Sequence, residues 1–381
     1  MASVTNYKTK TGKRLWKFQI YVGFNPDGSR KRIIKQGFQN KKAAILAYSR
    51  IEQEYAETGI AITDPKFKDV YEKFFATYKN TVKEPTWVKT SQYFRLHILP
   101  TFENRRMSKI SPSMVQEFVD EYFDKGYVKY KVLFNWISKV FKYAIKMDMC
   151  KTNPADKVTL PRQNMTEKID DKEDFYDLEE MKHFFECLKD FDDPQAYAFF
   201  RLLAFSGCRK SELACLQYKD INWTKRSITI SKTQSRGEHG LIVTSPKTYT
   251  SNREVMLDTN TMKVLENWRI IQRKRMLIMG FNANNDEQLV FSNVSKNEMI
   301  QPGKSTYWLN EIIDRYELKK VTVHSFRASY ATLAFEGGLN VKQVQHQLGH
   351  RDIQTTMEIY MKVSKKKEDE IADKFVAYVN F

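Results

Sequence analysis

The first sixty residues show the alternation of apolar and polar positions that a half-buried β-strand requires. Trp16, Phe18 and Ile20 occupy every second position, so their side chains would face one side of a sheet. A turn signal at residues 25–28 (Asn-Pro-Asp-Gly) precedes a second strand at 30–36, and Asn40 is suited to cap a helix over 41–57. The pattern predicts three short strands and one helix over residues 1–60.

Helical periodicity replaces this alternation in the next segment. Apolar residues recur at intervals of three and four throughout residues 66–160, as at Phe67, Val70, Tyr71, Phe74 and Phe75. This spacing predicts an all-helical bundle of four or five helices in a domain at 64–165. Stretches with turn-forming or polar residues at 59–65 and 163–174 are predicted to be linkers.

Residues 175–381 combine both patterns. Helical spacing occurs at 178–190, at 194–206 and again from 259 onward, whereas 228–230, 241–243 and 254–257 are typical of strands. A last apolar helix is predicted over 364–381. The expected fold class is multidomain α+β: a small three-stranded sheet plus helix, then an all-helical bundle, then a mostly helical domain with a small antiparallel sheet.

Positive charge is concentrated in the first two predicted domains. The chain carries a formal net charge of +17, and residues 1–60 contribute +8 of it, with twelve Lys and Arg against four Asp and Glu. Residues 61–170 contribute about +7, so the rest is nearly neutral. Such a distribution indicates a polyanionic partner. Because no apolar run approaches the roughly 18 residues of a membrane span, we expect a cytoplasmic, nucleoid-associated protein that binds nucleic acid and no membrane.

The sequence shows no signature of nucleotide- or metal-dependent chemistry. No GxxxxGK[ST] loop, HExxH motif or paired-carboxylate pattern stands out. The four cysteines form no CxxC pair and have no ligand spacing with histidine: Cys150, Cys187, Cys208 and Cys215. We therefore expect no cofactor, no metal, and reduced, buried thiols.

Two short blocks offer arginine for binding an anion. In residues 206–212 (SGCRKSE), Arg209 would lie near a helix N-terminus, where free N–H groups favour an anion, and Glu212 could orient its guanidinium. In residues 324–327 (HSFR), His324 and Arg327 share one helical face, an arrangement that suits a phosphate. Taken singly, a surface Arg–Glu pair and a partly buried structural histidine are the simpler interpretations.

Three further residues extend this set. Gly349 would end a helix, His350 would follow in the loop, and Tyr360 would lie in the next helix, over 354–361. Lys247 stands at a hairpin turn (Pro-Lys-Thr, 246–248) between the two arginine blocks. From its spacing alone, Tyr360 could equally be a core residue.

Together these blocks resemble the tyrosine recombinase (phage integrase) family. The resemblance rests on the order SGxRxxE, a PKT hairpin, HxxR, LGH and a tyrosine ten residues later, and it extends over residues 175–381. It implies an enzyme that cleaves and rejoins DNA through a 3′-phosphotyrosyl intermediate without ATP, integrating and excising a phage or mobile element.

The resemblance also implies a role for each candidate residue. Arg209 and Arg327 would clamp the scissile phosphate, and Lys247 would protonate the leaving 5′ oxygen. The remaining roles would be assistance to proton transfer by His324, a hydrogen bond to the phosphate from His350, and nucleophilic attack by Tyr360. Two choices stay open, because His346 competes with His350 and Lys232 competes with Lys247.

The N-terminal segments extend the resemblance to partners. Residues 1–60 resemble the arm-type DNA-binding domain of integrases, and 64–165 resembles their helical core-type DNA-binding domain. The implied partners are double-stranded DNA with arm-type and core-type sites, a homotetramer on that DNA, an excision factor and a host DNA-bending protein. The alternatives are a relaxing type IB topoisomerase and a catalytically silent DNA-binding regulator on the same scaffold.

Overall fold

A computed structural model of the chain describes residues 3–9, 12–24, 30–58, 64–162, 175–245 and 252–366. The chain forms two compact units, Met1–Met165 and Thr166–Phe381, and each is described by itself. Four sequence predictions fall wholly or largely outside the described residues: the turn at 25–28, the two linkers and the tail helix.

The first unit begins with a three-stranded antiparallel sheet and one helix, as predicted. The elements are β1 (Ser3–Lys8), β2 (Arg14–Phe24), β3 (Arg30–Phe38) and α1 (Lys41–Thr58). The strands lie in the order β1-β2-β3. Phe18 and Ile20 are buried and pack with Ala44 of the helix, which confirms the alternation along β2.

The rest of the first unit is helical, as its periodicity predicted. The elements are α2 (Phe67–Lys79), α3 (Glu84–Tyr93), a π-helical turn (Phe94–Ile98), α4 (Leu99–Phe102), a 3-10 turn (Met107–Lys109), α5 (Pro112–Asp124), α6 (Tyr130–Lys146) and a 3-10 turn (Pro154–Lys157). Phe67, Phe94 and Phe141 are fully buried in its core. Asp64 fastens the start of this region, because its carboxylate accepts hydrogen bonds from the backbone and hydroxyl of Ser108 at 3.0 and 2.8 Å.

The second unit is built mainly of helices. They are α7 (Leu178–Asp190), α8 (Pro194–Ser206), α9 (Lys210–Leu213), α10 (Thr259–Ile278), α11 (Lys304–Tyr316), α12 (Ser325–Glu336), α13 (Val341–Leu348) and α14 (Ile353–Lys366). Helix α8 is central, since nine of its thirteen residues are buried. Its Phe199 and Phe200 pack with Trp308 and Phe326, which fixes α11 and α12 against it.

The strands of the second unit form small antiparallel sheets. They are β4 (Ile221–Asn222), β5 (Ser227–Ile230), β6 (Thr233–Arg236), β7 (Leu241–Thr244), β8 (Arg253–Met256), β9 (Ser292–Asn293) and β10 (Glu298–Met299). The first sheet has the order β4-β5-β8, and β7 pairs instead with β6. Strand β6 was not predicted, because its sequence TQSR has no apolar alternation. In the described part of the chain, no helix is long and apolar enough to cross a membrane.

Candidate active site

Two helices end close to one buried arginine. Helices α8 and α13 are each followed by a glycine in the left-handed conformation, Gly207 at φ 64° and Gly349 at φ 69°. Arg327 of α12 is 4% exposed and donates to the carbonyl of Gly207 at 2.7 Å and to that of Leu348 at 2.6 Å. Carbonyl groups at helix C-termini carry partial negative charge. These carbonyl groups therefore bind the guanidinium but leave it positively charged, whereas a carboxylate would neutralise its charge.

Both glycines are also required by close packing. A Cβ atom at Gly207 would lie 2.7 Å from side-chain atoms of Leu348 and Tyr330. A Cβ atom at Gly349 would lie 2.9 Å from Cδ of Arg253. The glycines of the SG and LG motifs thus allow the two helix ends to approach the arginines, in addition to permitting the left-handed backbone.

Arg209 lies at the start of α9, as predicted, and Glu212 orients it. The guanidinium Nη1 lies 2.9 Å from Oε1 of Glu212, and the Arg209 backbone N–H donates to Oε2 at 2.9 Å. The Arg209 side chain is 37% exposed, whereas that of Glu212 is 3% exposed. The pair therefore joins a partly exposed guanidinium to a buried carboxylate, unlike a pair in which both groups lie at the surface.

Arg253 is a third arginine at this site, and the sequence reasoning assigned it no role. Its Nη2 donates to Oε2 of Glu212 at 2.9 Å, and its Nε donates to the carbonyl of Gln347 at 2.8 Å. Only 2% of its side chain is exposed. The signal was present in the strand pattern, since Arg253 lies two residues before the buried Val255 and so shares its inward face.

The buried carboxylate of Glu212 is kept ionised by the arginines. Burial alone would raise its pKa, but the hydrogen bonds and charge of Arg253 and the contacts of Arg209 lower the pKa below its usual range. Glu212 is thus paired with both Arg209 and Arg253, whereas the guanidinium of Arg327 is bound by backbone carbonyl groups. The site retains an excess of positive charge, which suits an anion.

Both predicted histidines lie close enough to these arginines for their charges to act on the rings. Burial, followed by the charges of Arg327 and Arg209, lowers the pKa of His350 from 6.5 to about 4. Burial and the same arginines also lower the pKa of His324, which precedes α12 at the N-cap position. Both rings are therefore expected to be neutral at pH 7, available to donate or accept one proton.

Tyr360 lies in α14, the helix predicted to carry it. The residue is 39% exposed, and its ring packs edge-on against Phe335 of α12 with a centroid distance of 5.2 Å. Among the described residues, no hydrogen bond joins Tyr360 to the arginines or histidines of the site. The same helix is nevertheless tied to the site, because Oγ1 of Thr356 lies 2.8 Å from Nδ1 of His350.

The sequence left two choices open, His346 against His350 and Lys232 against Lys247, and the structure describes three of these four residues. His346 is exposed on α13 and lines a surface cavity with Tyr330 and Leu339. Lys247 lies outside the described residues. Its competitor Lys232 is paired with Asp220 at 2.8 Å and also hydrogen-bonded to Gln217, so its charge is already neutralised.

In the part of the chain that the structure describes, no three His, Cys, Asp or Glu side chains form a group that could hold a metal.

Models of three known protein families match successive parts of the chain. The phage integrase family matches residues 175–367, which is half of the chain. This chain belongs to the phage integrase family. The phage integrase N-terminal SAM-like domain matches residues 66–123, and an arm DNA-binding domain matches residues 5–55.

Individual relatives extend over nearly the whole integrase chain. The ICEBs1 integrase of Bacillus subtilis (strain 168) is 24% identical over 368 residues, covering 94% of this chain and 96% of the relative. A tyrosine recombinase XerC-like protein of Caldanaerobacter subterraneus is 26% identical and covers 97% of both chains. The solved Tn1549 transposon integrase, in complex with transposon right end DNA, has a TM-score of 0.61 at 18% identity. The match covers 81% of this chain and 100% of the Tn1549 chain, and the two share a fold.

The integrase is therefore a tyrosine recombinase, an enzyme that cleaves and rejoins DNA. The relatives named above are integrases and recombinases, which does not favour a type IB topoisomerase. This confirms the resemblance drawn from the order of the sequence motifs. The α+β fold predicted from the hydrophobic pattern is confirmed as well.

Proposed function

We propose that Arg209, Arg327 and His350 bind the scissile phosphate of an attachment site, with His324 beside them to assist proton transfer. The observation that supports this most strongly is the charge of the site, where Arg209 and Arg253 pair with the carboxylate of Glu212 and the guanidinium of Arg327 is bound by backbone carbonyl groups. A phosphodiester would neutralise the excess charge. Its pentavalent transition state would gain most, because fixed donors stabilise developing negative charge without reorganising.

In the proposed reaction, the phenol oxygen of Tyr360 attacks phosphorus. A Tyr360–phosphorus bond forms while the bond to the 5′ oxygen breaks, which leaves a 3′-phosphotyrosyl ester and a free 5′ hydroxyl. Lys247 gives a proton to the 5′ oxygen, and His324 assists removal of the proton from the attacking phenol. Attack by another 5′ hydroxyl reverses these steps, so rejoining needs no ATP.

Residues 1–60 and 64–165 are proposed as two separate DNA-binding domains. The exposed face of the first sheet carries groups able to contact phosphates and bases, including Lys17, Gln19, Tyr21 and Arg32. The net charge of +8 over residues 1–60 supports binding of arm-type sites. The helical domain, with about +7 over residues 61–170, is proposed to bind core-type sites.

The proposed assembly is a homotetramer on two DNA duplexes. Exchange between two duplexes requires four strand cleavages, and each protomer supplies one Tyr360. Integration and excision of a phage or mobile element are the proposed outcomes, with an excision factor and a host DNA-bending protein as proposed partners. The site of action is proposed to be the cytoplasm of a bacterial host, on the nucleoid.

The phosphate site can be tested by separating DNA cleavage from DNA binding. Arg209→Lys keeps the charge but loses the planar fork that binds two oxygens. We expect cleavage of a nicked attachment-site duplex to fall by about two orders of magnitude, as for loss of one such donor, with little change in DNA affinity. Lys225→Ala, at an exposed lysine in the turn between β4 and β5, serves as a control. An equal loss of affinity and cleavage would show that Arg209 is an ordinary backbone contact.

A further inference from the structure

A buried threonine holds one ring nitrogen of His350. Oγ1 of Thr356 lies 2.8 Å from Nδ1 of the ring, and Thr356 is fully buried. The histidine backbone is fixed as well, since its carbonyl accepts a hydrogen bond from the Gln345 side chain at 3.2 Å. The position of the ring relative to the arginines therefore depends on a contact from α14.

Which group donates in this hydrogen bond follows from the requirement that the proton of the buried hydroxyl has an acceptor. Within the described residues, the His350 ring is the hydrogen-bond partner of the Thr356 hydroxyl, and no backbone carbonyl accepts its proton. If Nδ1 carried a proton and donated it, the threonine proton would be buried without an acceptor. Buried polar groups are rarely left unsatisfied. The hydroxyl therefore donates to Nδ1, which must be unprotonated.

The protonation state of the ring supports the same conclusion. Burial and the charges of Arg327, Arg209 and Arg253, with His324, lower the pKa of His350 to about 4, so the ring is neutral at pH 7. A neutral imidazole without a proton on Nδ1 carries it on Nε2. In this tautomer, His350 can donate one hydrogen bond without adding another positive charge beside the arginines.

Thr356 also connects this histidine with the proposed nucleophile. It lies four residues before Tyr360 in α14, so the two side chains share one face of the helix. A contact that fixes the imidazole thus also fixes the turn of α14 that precedes the tyrosine.

We propose that Thr356 is a positioning residue that holds His350 in the Nε2–H tautomer and anchors the helix of the nucleophile to the phosphate site. This inference rests on the proposed function in one respect, namely that His350 contacts the phosphate and Tyr360 attacks it. The tautomer itself can be observed without any reaction.

The first test measures the tautomer in the full-length chain. Thr356→Val keeps the shape of the side chain but removes the hydroxyl, Thr356→Ser retains a hydroxyl, and Thr355→Val changes the exposed neighbouring threonine as a matched control. Long-range proton–nitrogen spectra of ¹⁵N-histidine-labelled protein distinguish the two tautomers, and His350→Gln assigns the resonance among the six histidines. We expect Nε2–H in the wild type, the Ser variant and the control, and a mixture in the Val variant.

The second test measures covalent adduct formation on a nicked attachment-site duplex. We expect Thr356→Val to slow it by about tenfold to a hundredfold, the range found when a group that orients a functional ligand is lost. Thr356→Ser should restore most of the rate, and Thr355→Val should match the wild type. Thermal unfolding would verify that each variant is folded.

Specific results would overturn the inference. Nδ1–H in the wild type would contradict the tautomer. An unchanged adduct rate in the Val variant, or equally slow Val and Ser variants with the wild-type tautomer, would reduce Thr356 to a packing residue. Failure of the proposed function would look different, because Tyr360→Phe would then still form adducts whatever the tautomer.

Discussion

The buried pair of Arg253 and Glu212 leads to a prediction about both stability and the active site. Replacing Arg253 with Met keeps a long side chain but removes the guanidinium that contacts Oε2 of Glu212 and the carbonyl of Gln347. The carboxylate would stay buried with only Arg209 beside it. We expect the second unit to be destabilised and the orientation of Arg209 to be loosened.

The expected magnitude follows from the burial of the pair. The two side chains are 2% and 3% exposed, so solvent cannot replace the lost partner. Removing one member of a buried ion pair costs about 3–5 kcal/mol. Because Arg209 still contacts Oε1 at 2.9 Å, we expect a loss of about 3 kcal/mol, the lower end of that range.

A double-mutant cycle with Glu212→Gln isolates the interaction. The amide retains an acceptor for the backbone N–H of Arg209 but carries no charge. The coupling between the two substitutions should reach about 2 kcal/mol, within the range for contacting residues. Hydrogen exchange of the buried amides of α8 reports the unfolding of this unit separately, which matters because a chain of two units need not unfold in one step.

Additive effects of the two substitutions would contradict this coupling. If Glu212→Gln had the same effect in the wild type and in the Arg253→Met background, within about 0.5 kcal/mol, the two residues would not be coupled. A loss below about 1 kcal/mol for Arg253→Met would likewise show that the charge of Glu212 is adequately solvated without Arg253.

Two further outcomes are expected. Because the pKa of His350 is lowered from 6.5 to about 4, the unfolded chain binds a proton between these pH values that the folded chain does not. The free energy of unfolding should therefore fall as the pH is lowered from 6.5 to about 4. Urea unfolding should show a weaker fall for His350→Gln. An equal pH dependence in the two proteins would contradict the assigned shift. A fragment of residues 64–381 should fold and cleave core-site duplexes, but it should not complete integration. A fragment that starts at Lys66 should be less stable, because it lacks the Asp64–Ser108 contacts. Loss of core-site cleavage in the folded longer fragment would show that residues 1–60 belong to the catalytic machinery.

Much of the fold could be predicted from the spacing of apolar residues. Phe18 and Ile20 alternate along β2 and are buried as expected, and Phe67 and Val70 of α2 lie in the helical core. Strand β6 escaped prediction, because it is polar and pairs with β7 in a separate hairpin. Its formation depends on a neighbour in space, which the pattern along the chain does not reveal.

The candidate site was predicted only where its residues stand in recognisable motifs. Arg209, His324, Arg327 and His350 were named in advance, and the structure brings them near one another. Arg253 was not predicted to belong to the site, since its partners Glu212 and Gln347 are 41 and 94 residues away in the sequence. Thr356 gave no signal at all, because a threonine near the start of a helix has many uses.

The central claim is that Tyr360 forms the covalent bond to DNA, and peptide mapping of the adduct tests it directly. The wild-type protein would be trapped on a nicked attachment-site duplex and digested with trypsin and a nuclease. Cleavage after Arg351 and Lys362 releases the peptide of residues 352–362. Of the 20 tyrosines of the chain, only Tyr360 lies in this peptide. We predict that the nucleotide mass lies on this peptide and that Tyr360→Phe yields no adduct. A nucleotide-bearing peptide from any other part of the chain, or an adduct with the Phe variant, would contradict the account.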